Sequence, residues 1–163
     1  YGIFREAIMV QMTWPGAPTL YYGDEAGVCG WTDPDNRRTY PWGFEDFELI
    51  EYHRYLIDLH KKLPALRRGS LKQLLADRQL IVYGRMSGEN KCAVIINNRG
   101  ESRSVRVPVW ELGITDEDAI TRMMLSDEKG YNAGRIDYRA DHGWLTLDVP
   151  AHSGVLLSSG ALV

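Results

Sequence analysis

Residues 56–70 read Leu56-Ile57-Asp58-Leu59-His60-Lys61-Lys62-Leu63-Pro64-Ala65-Leu66-Arg67-Arg68-Gly69-Ser70, and at this stretch one sequence pattern gives way to another. On the N-terminal side Leu49, Tyr52, Leu56, Leu59 and Leu63 recur at three and four, a spacing that predicts a helix over 47–63. Asp46 is placed to cap that helix, and Glu48 adds negative charge to its first turn. Lys61 and Lys62 suit the last turn, and Pro64 blocks continuation. On the C-terminal side the texture becomes short runs rich in Val, Ile, Leu and Tyr, at 71–76, 79–86, 91–97, 103–110, 119–125, 143–149 and 153–158. Turn residues at 87–90, 98–100 and 141–143 separate them. That spacing predicts an antiparallel sandwich or barrel. The boundary falls near 66–70.

Upstream, Ile3, Ala7, Val10 and Trp14 form one row at helical spacing, with Phe4, Ile8 and Met12 beside it. So wide an apolar stripe predicts a helix over 3–14 packed on something large, ended by Pro15-Gly16. Ala17–Tyr22 reads as a short buried strand closed by Gly23. Residues 23–46 are rich in Gly, Asp, Pro and Asn and form a long loop, of the kind that in compact domains is functional or disordered; Trp31, Tyr40 and Trp42 favour order. The first part is thus α/β and the second all-β. One strand cannot make a sheet, so residues 1–66 read as the end of a larger α/β domain and 67–163 as a β-domain. The chain opens Tyr1-Gly2-Ile3 inside the helical pattern, without an initiator Met, which predicts a piece of a longer protein.

Of 163 residues, 44% are hydrophobic and 25% charged, enough apolar side chain to fold. No apolar run is long enough to span a membrane. A net charge of −3 argues against nucleic acid as a partner. Cys29 and Cys92 are too few for a disulfide framework and lack metal-ligand spacing, so both read as ordinary thiols and no metal site is expected. Their low number favours a reducing, cytoplasmic setting.

Candidate chemistry concentrates in 23–46. Asp24-Glu25 are neighbouring carboxylates, and neighbours on an extended chain point to opposite faces, which unfits them for flanking one glycosidic bond. Either one faces a cleft while the other holds the loop, or both only bond loop and helix termini. Asp33 and Arg37 offer an acceptor and a forked donor to a neutral polyol, or a salt bridge to each other. Trp31, Tyr40 and Trp42 offer flat apolar faces suited to sugar rings, or simply anchor the loop. His53 and His60, seven apart on one helix, read as surface residues, because a zinc pair would prefer a spacing of four. His142 and His152 sit at turns with no evident partner. Trp110, Tyr131, Tyr138 and Trp144 are scattered through the β-part, and at least half are expected in the core.

The segment PGAPTLYYGDEAG at 15–27 resembles the end of the catalytic barrel in the α-amylase family of glycoside hydrolases. DPDNRRTYPWG at 33–43 is similar to the stretch after the last barrel strand in neopullulanases, cyclomaltodextrinases and maltogenic amylases. LIDLHKKLPALRRGS at 56–70 resembles the last barrel helix and its exit into the C-terminal β-domain.

The resemblance implies the last helix–strand–helix portion of a (β/α)8 barrel, followed by a C-terminal antiparallel Greek-key β-sandwich. The parent would be a retaining hydrolase of α-glucosidic bonds in maltodextrins, starch, pullulan or cyclodextrins. Asp33 and Arg37 match the DPxxR residues that contact a glucose unit; Arg38, one residue on, is a second candidate, and Trp31 and Tyr40 join them as substrate-binding residues. The family's three catalytic carboxylates lie on earlier barrel strands, so no residue here inherits a catalytic role and the chain alone is expected to be inactive. The alternative is a non-catalytic glucan-binding or structural β-domain. No cofactor is implied, with calcium left open for the parent. The expected partner is an α-glucan oligosaccharide. Self-association of the piece, or a homodimer of the parent, would cover apolar faces left bare by an incomplete barrel.

Overall fold

The computed structural model describes residues 1–88 and 90–160. Glu89, within the turn expected at 87–90, and residues 161–163 of the expected β-domain lie outside the described residues.

Helix α1 spans Gly2–Thr13 and buries Arg5, Ile8, Met9 and Met12 along one face. Trp14 then turns extended and Pro15-Gly16 follow. The strand expected at 17–22 does not form: this segment is irregular, and Tyr21 and Tyr22 are exposed. A strand needs a neighbour for its backbone donors and acceptors. Among the described residues no strand pairs with this segment, and Leu20 packs against the helical core.

Helix α2 spans Phe47–Lys62, and the Asp46 carboxylate accepts from the Leu49 amide at 3.0 Å. Pro64 does more than stop α2: it starts a further short helix, α3 (Pro64–Arg68), where its missing N–H costs nothing. His53 is a correction to the sequence reading. It is 2% exposed, with Nδ1 2.8 Å from the Leu49 carbonyl, because α2 buries Leu49, Tyr52, His53 and Leu56 as one broad face. His60 is half-buried, its Nδ1 2.8 Å from the Met12 carbonyl of α1.

Among the described residues nine strands follow: β1 (Ser70–Asp77), β2 (Leu80–Ser87), β3 (Asn90–Asn97), β4 (Arg103–Val107), β5 (Ile120–Asp127), β6 (Gly130–Asn132), β7 (Ile136–Tyr138), β8 (Leu145–Val149) and β9 (Ser153–Ser159). The main sheet runs β1-β2-β3-β9-β5-β6, with β7 also on β5; β4 and β8 form a second sheet, and every pairing is antiparallel. The run expected at 103–110 ends at Val107, and a 3₁₀ turn takes over at Val109–Leu112. Strands β6 and β7 were not expected, being three residues long and without a fully buried residue.

Strand β3 shows how the layers arise. Cys92, Val94 and Ile96 join one core with α1 and α2, while Ala93 and Ile95 join another with β4 and β8. Burial of the Cys92 thiol pushes its pKa up to about 12, so it stays an inert core group. Of the aromatics of the β-part, Tyr83 is 1% exposed, Tyr131 and Tyr138 are half-buried and pack against the two cores, Trp144 is half-buried and Trp110 is 56% exposed.

Polar links lock the helices to the sheet. Arg85 of β2 is 1% exposed; its guanidinium donates to the Thr13 carbonyl at 2.6 Å and the Gly69 carbonyl at 2.8 Å. Desolvation lowers its pKa. The Thr13 hydroxyl lies 2.6 Å from the Tyr83 hydroxyl. Tyr52 donates to the Arg5 carbonyl at 2.9 Å, and the Arg5 guanidinium meets Glu48 at 2.8 Å. His152 has partners that the sequence did not show: Nδ1 is 4.0 Å from Glu6 and Nε2 is 3.8 Å from Glu128. Glu6 is 3% exposed, and burial raises its carboxyl pKa against the opposing Asn98 hydrogen bond and His152.

Two expectations follow. Arg85→Met strands the buried Thr13 carbonyl and the half-buried Gly69 carbonyl and should lower the unfolding free energy by about 3 kcal/mol in urea titrations; an unchanged midpoint would contradict the clamp. Because the Glu6 pKa is raised by folding, its contribution is full below the unfolded value and is lost as pH rises through the folded one. Wild-type stability should therefore fall relative to Glu6→Gln as pH rises above about 4.5, the ordinary carboxyl value, and a constant difference would refute the assignment.

Candidate functional site

The loop between α1 and α2 is built on two glycines. Gly23 (φ 92°) and Gly27 (φ 77°) bracket a 3₁₀ turn at Asp24–Ala26, in a left-handed conformation that a side chain disfavours. The Gly23 amide donates to Glu25 Oε2 at 3.0 Å, so Glu25 is the carboxylate that holds the loop. Asp24 is half-buried; desolvation raises its pKa, with Glu25 adding to the rise and His53 opposing it. The Asp46 amide donates to the Ala26 carbonyl at 3.1 Å, closing the base of the loop just where α2 begins.

Of the two readings for Asp33 and Arg37, the structure has the ion pair: Arg37 Nε lies 2.6 Å from Asp33 Oδ1. Both side chains remain open to solvent, at 68% and 59% exposure. Arg38 pairs instead with Asp35, at 2.9 Å. Asp35 is a residue the sequence reading did not single out. Its other role is to accept from the Trp31 amide at 3.1 Å. The signal was available, because Asp33/Arg37 and Asp35/Arg38 sit four and three apart. The Tyr22 hydroxyl donates to the Arg38 carbonyl at 2.8 Å, fastening the tip to the 17–22 segment.

A cavity of about 340 Å³ opens beside this tip, lined by Tyr21, Tyr22, Asp24, Cys29, Trp31 and Asn36 among others. Trp31, 82% exposed, thus joins the cavity; Asp33, Arg37, Arg38 and Tyr40 lie outside its lining. Tyr40 instead packs on Trp42 with ring centroids 4.6 Å apart. Partial desolvation raises the Tyr40 phenol pKa, helped by the nearby Glu25 and Glu45. Among the described residues no three His, Cys, Asp or Glu side chains are grouped to hold a metal ion, and no helix is long and apolar enough to cross a membrane.

Comparison with known proteins bears on this arrangement. No family model matches the chain. Amylopullulanase of Thermoanaerobacterium thermosulfurigenes is 32% identical over 94% of this chain, and neopullulanase 2 of Thermoactinomyces vulgaris is 40% identical over 68% of it. The chain belongs to the α-amylase family. It spans 8% of that amylopullulanase and 20% of that neopullulanase. The structure of an Anoxybacillus α-amylase superposes with a TM-score of 0.82 over 96% of this chain and 32% of its own length, at 23% identity, a likeness of fold. The mainly antiparallel sheet thus matches the C-terminal β-sandwich of α-amylases.

The α-amylase-family loop is therefore a stapled, solvent-facing element. Asp35→Ala should speed hydrogen exchange at the Trp31 amide while changing global stability by less than about 1 kcal/mol, as exposed ion pairs contribute little. Unchanged exchange at Trp31 would show that Asp35 does not hold the tip.

Proposed function

We propose that this chain supplies the last helix–strand–helix part of an α-amylase-family barrel (1–66) and the β-domain behind it (67–163). The enzyme so formed would hydrolyse α-glucosidic bonds of maltodextrins, starch, pullulan or cyclodextrins with retention. The observation that carries this reading is the concentration of exposed apolar side chains in the first part, among them Ile3, Tyr21, Tyr22, Trp31, Trp42, Phe44 and Phe47, against Leu71, Trp110 and Ile136 in the described β-part. Such a surface suits burial against further barrel elements. Residues 17–22, irregular and unpaired, would gain ladder partners there.

In this reading Asp33 and Arg37 bind a glucose unit, Arg38 supports the same loop, and Trp31 and Tyr40 offer ring faces. An exposed ion pair is labile in water, so Asp33 and Arg37 can exchange each other for sugar hydroxyls at small cost. Neither Asp24 nor Glu25 is assigned to catalysis. A retaining glycosidase needs two carboxyl groups facing across the bond, about 5–5.5 Å apart. Here Glu25 is engaged by the Gly23 amide.

The test has two parts. The purified chain incubated with maltoheptaose should release no reducing ends, and turnover near that of a full-length neopullulanase would overturn the proposal. In an NMR titration with maltoheptaose, Arg37→Ala should weaken the response of the 31–40 loop roughly tenfold or more, the cost of losing hydrogen bonds from a charged donor.

A further inference from the structure

We propose a second α-glucan site on the outer face of the β4–β8 sheet, centred on Trp110 and remote from the 23–46 loop. The inference rests on the α-glucan reading above for its ligand class, and on separate residues for its geometry.

Beyond residue 47, Trp110 is the most exposed large hydrophobic side chain, at 56%. Its neighbours Val109 and Leu112 belong to the core shared with β4 and β8, so the main sheet separates it from α1 and α2. The bare surface of the first part therefore does not account for it. Its seat is rigid. The Trp110 amide donates to the Gly143 carbonyl at 3.0 Å. The indole lies over Gly143, where a Cβ would stand 2.8 Å from Trp110 Cβ and where φ is 81°. Asp116 accepts from the amides of His142 and Gly143 at 2.9 and 2.7 Å, and Asp141 and Trp144 exchange backbone hydrogen bonds. A second indole, Trp144, follows Gly143 directly, with the Arg106 guanidinium stacked 4.4 Å from its ring centroid.

The sheet continues the surface. Val105, Val107, Leu145 and Leu147 point inward, so Ser104, Arg106, Thr146 and Asp148 alternate outward and all four are exposed. Ser104 stands opposite Asp148, and Arg106 opposite Thr146. Hydroxyls, a carboxylate and a stacked guanidinium beside a flat apolar face suit a polyol with apolar ring faces. A protein partner fits worse. A stable interface buries about 800 Å² per side around an apolar centre, and here two indoles, one of them stacked with a guanidinium, stand among polar groups.

The experiment is electrophoresis of the full 163-residue chain through native gels containing amylose. Wild type should be retarded, Trp110→Ala should lose most of that retardation, and Trp110→Phe should lose less of it. Unaltered thermal unfolding of Trp110→Ala excludes loss of fold as the cause. Arg37→Ala should keep its retardation at this site. Absence of retardation in the wild type, or retardation that Arg37→Ala abolishes and Trp110→Ala does not, overturns the inference. The second of these outcomes leaves the α-glucan reading of the loop standing.

Discussion

Strands β3 and β9 are buried on both faces, and this constraint organises everything else in the molecule. A strand with one apolar face can leave the other in water. A central strand with two must be covered twice. Side chains alternate along β3, so successive residues enter different cores, one shared with α1 and α2 and the other with β4 and β8. Each fully buried aliphatic side chain contributes about 1.5–3 kcal/mol, which makes both covers necessary to the sheet. The helices are therefore as much a part of the β-sheet's core as of the barrel they are proposed to complete.

Burial alone does not set the position of a helix on a sheet, because apolar contacts tolerate sliding. Directional contacts do. Arg85 joins the carbonyl end of α1 to Gly69, Tyr83 meets Thr13, and Tyr52 meets the backbone of α1 from α2. These groups lie in a dry interface, where an unmade hydrogen bond costs more than it would in water. The loop inherits this rigidity, since its base is tied to the start of α2 through Ala26, Asp46 and Leu49. Its tip does not. There the charged side chains of Asp33 and Arg37 hold each other in solvent, a suitable state for groups that must release each other to meet a ligand.

Misreadings of the sequence trace to groups whose partners are distant in the chain. Tyr21 and Tyr22 have the residue types of a strand, but strand formation depends on a neighbour that residue type does not supply. His53 sits on a face whose width was drawn from leucines alone, and a histidine bonded to its own helix's carbonyl can be buried as well. His152 gains Glu6 from a helix 146 positions away in sequence and Glu128 from the β5–β6 turn. Strands β6 and β7 are too short and polar for alternation to register, and pairing with β5 defines them. Asp35 was passed over because Asp33 and Arg37 already made a plausible pair, though the spacing to Arg38 was equally readable.

By itself the sequence determined the helices at 2–13 and 47–62, the cap at Asp46, the change to strands after Arg68 and the family to which the chain belongs. These depend on periodicity, on capping chemistry and on local motifs, all of which act over a few residues. Only the tertiary structure decided which strands share a sheet, that Arg37 rests on Asp33 while Arg38 rests on Asp35, and that Trp110 stands in solvent on the side away from the helices. Those outcomes depend on which surfaces meet once the two cores close, and contacts between residues far apart in the chain leave no local period to read.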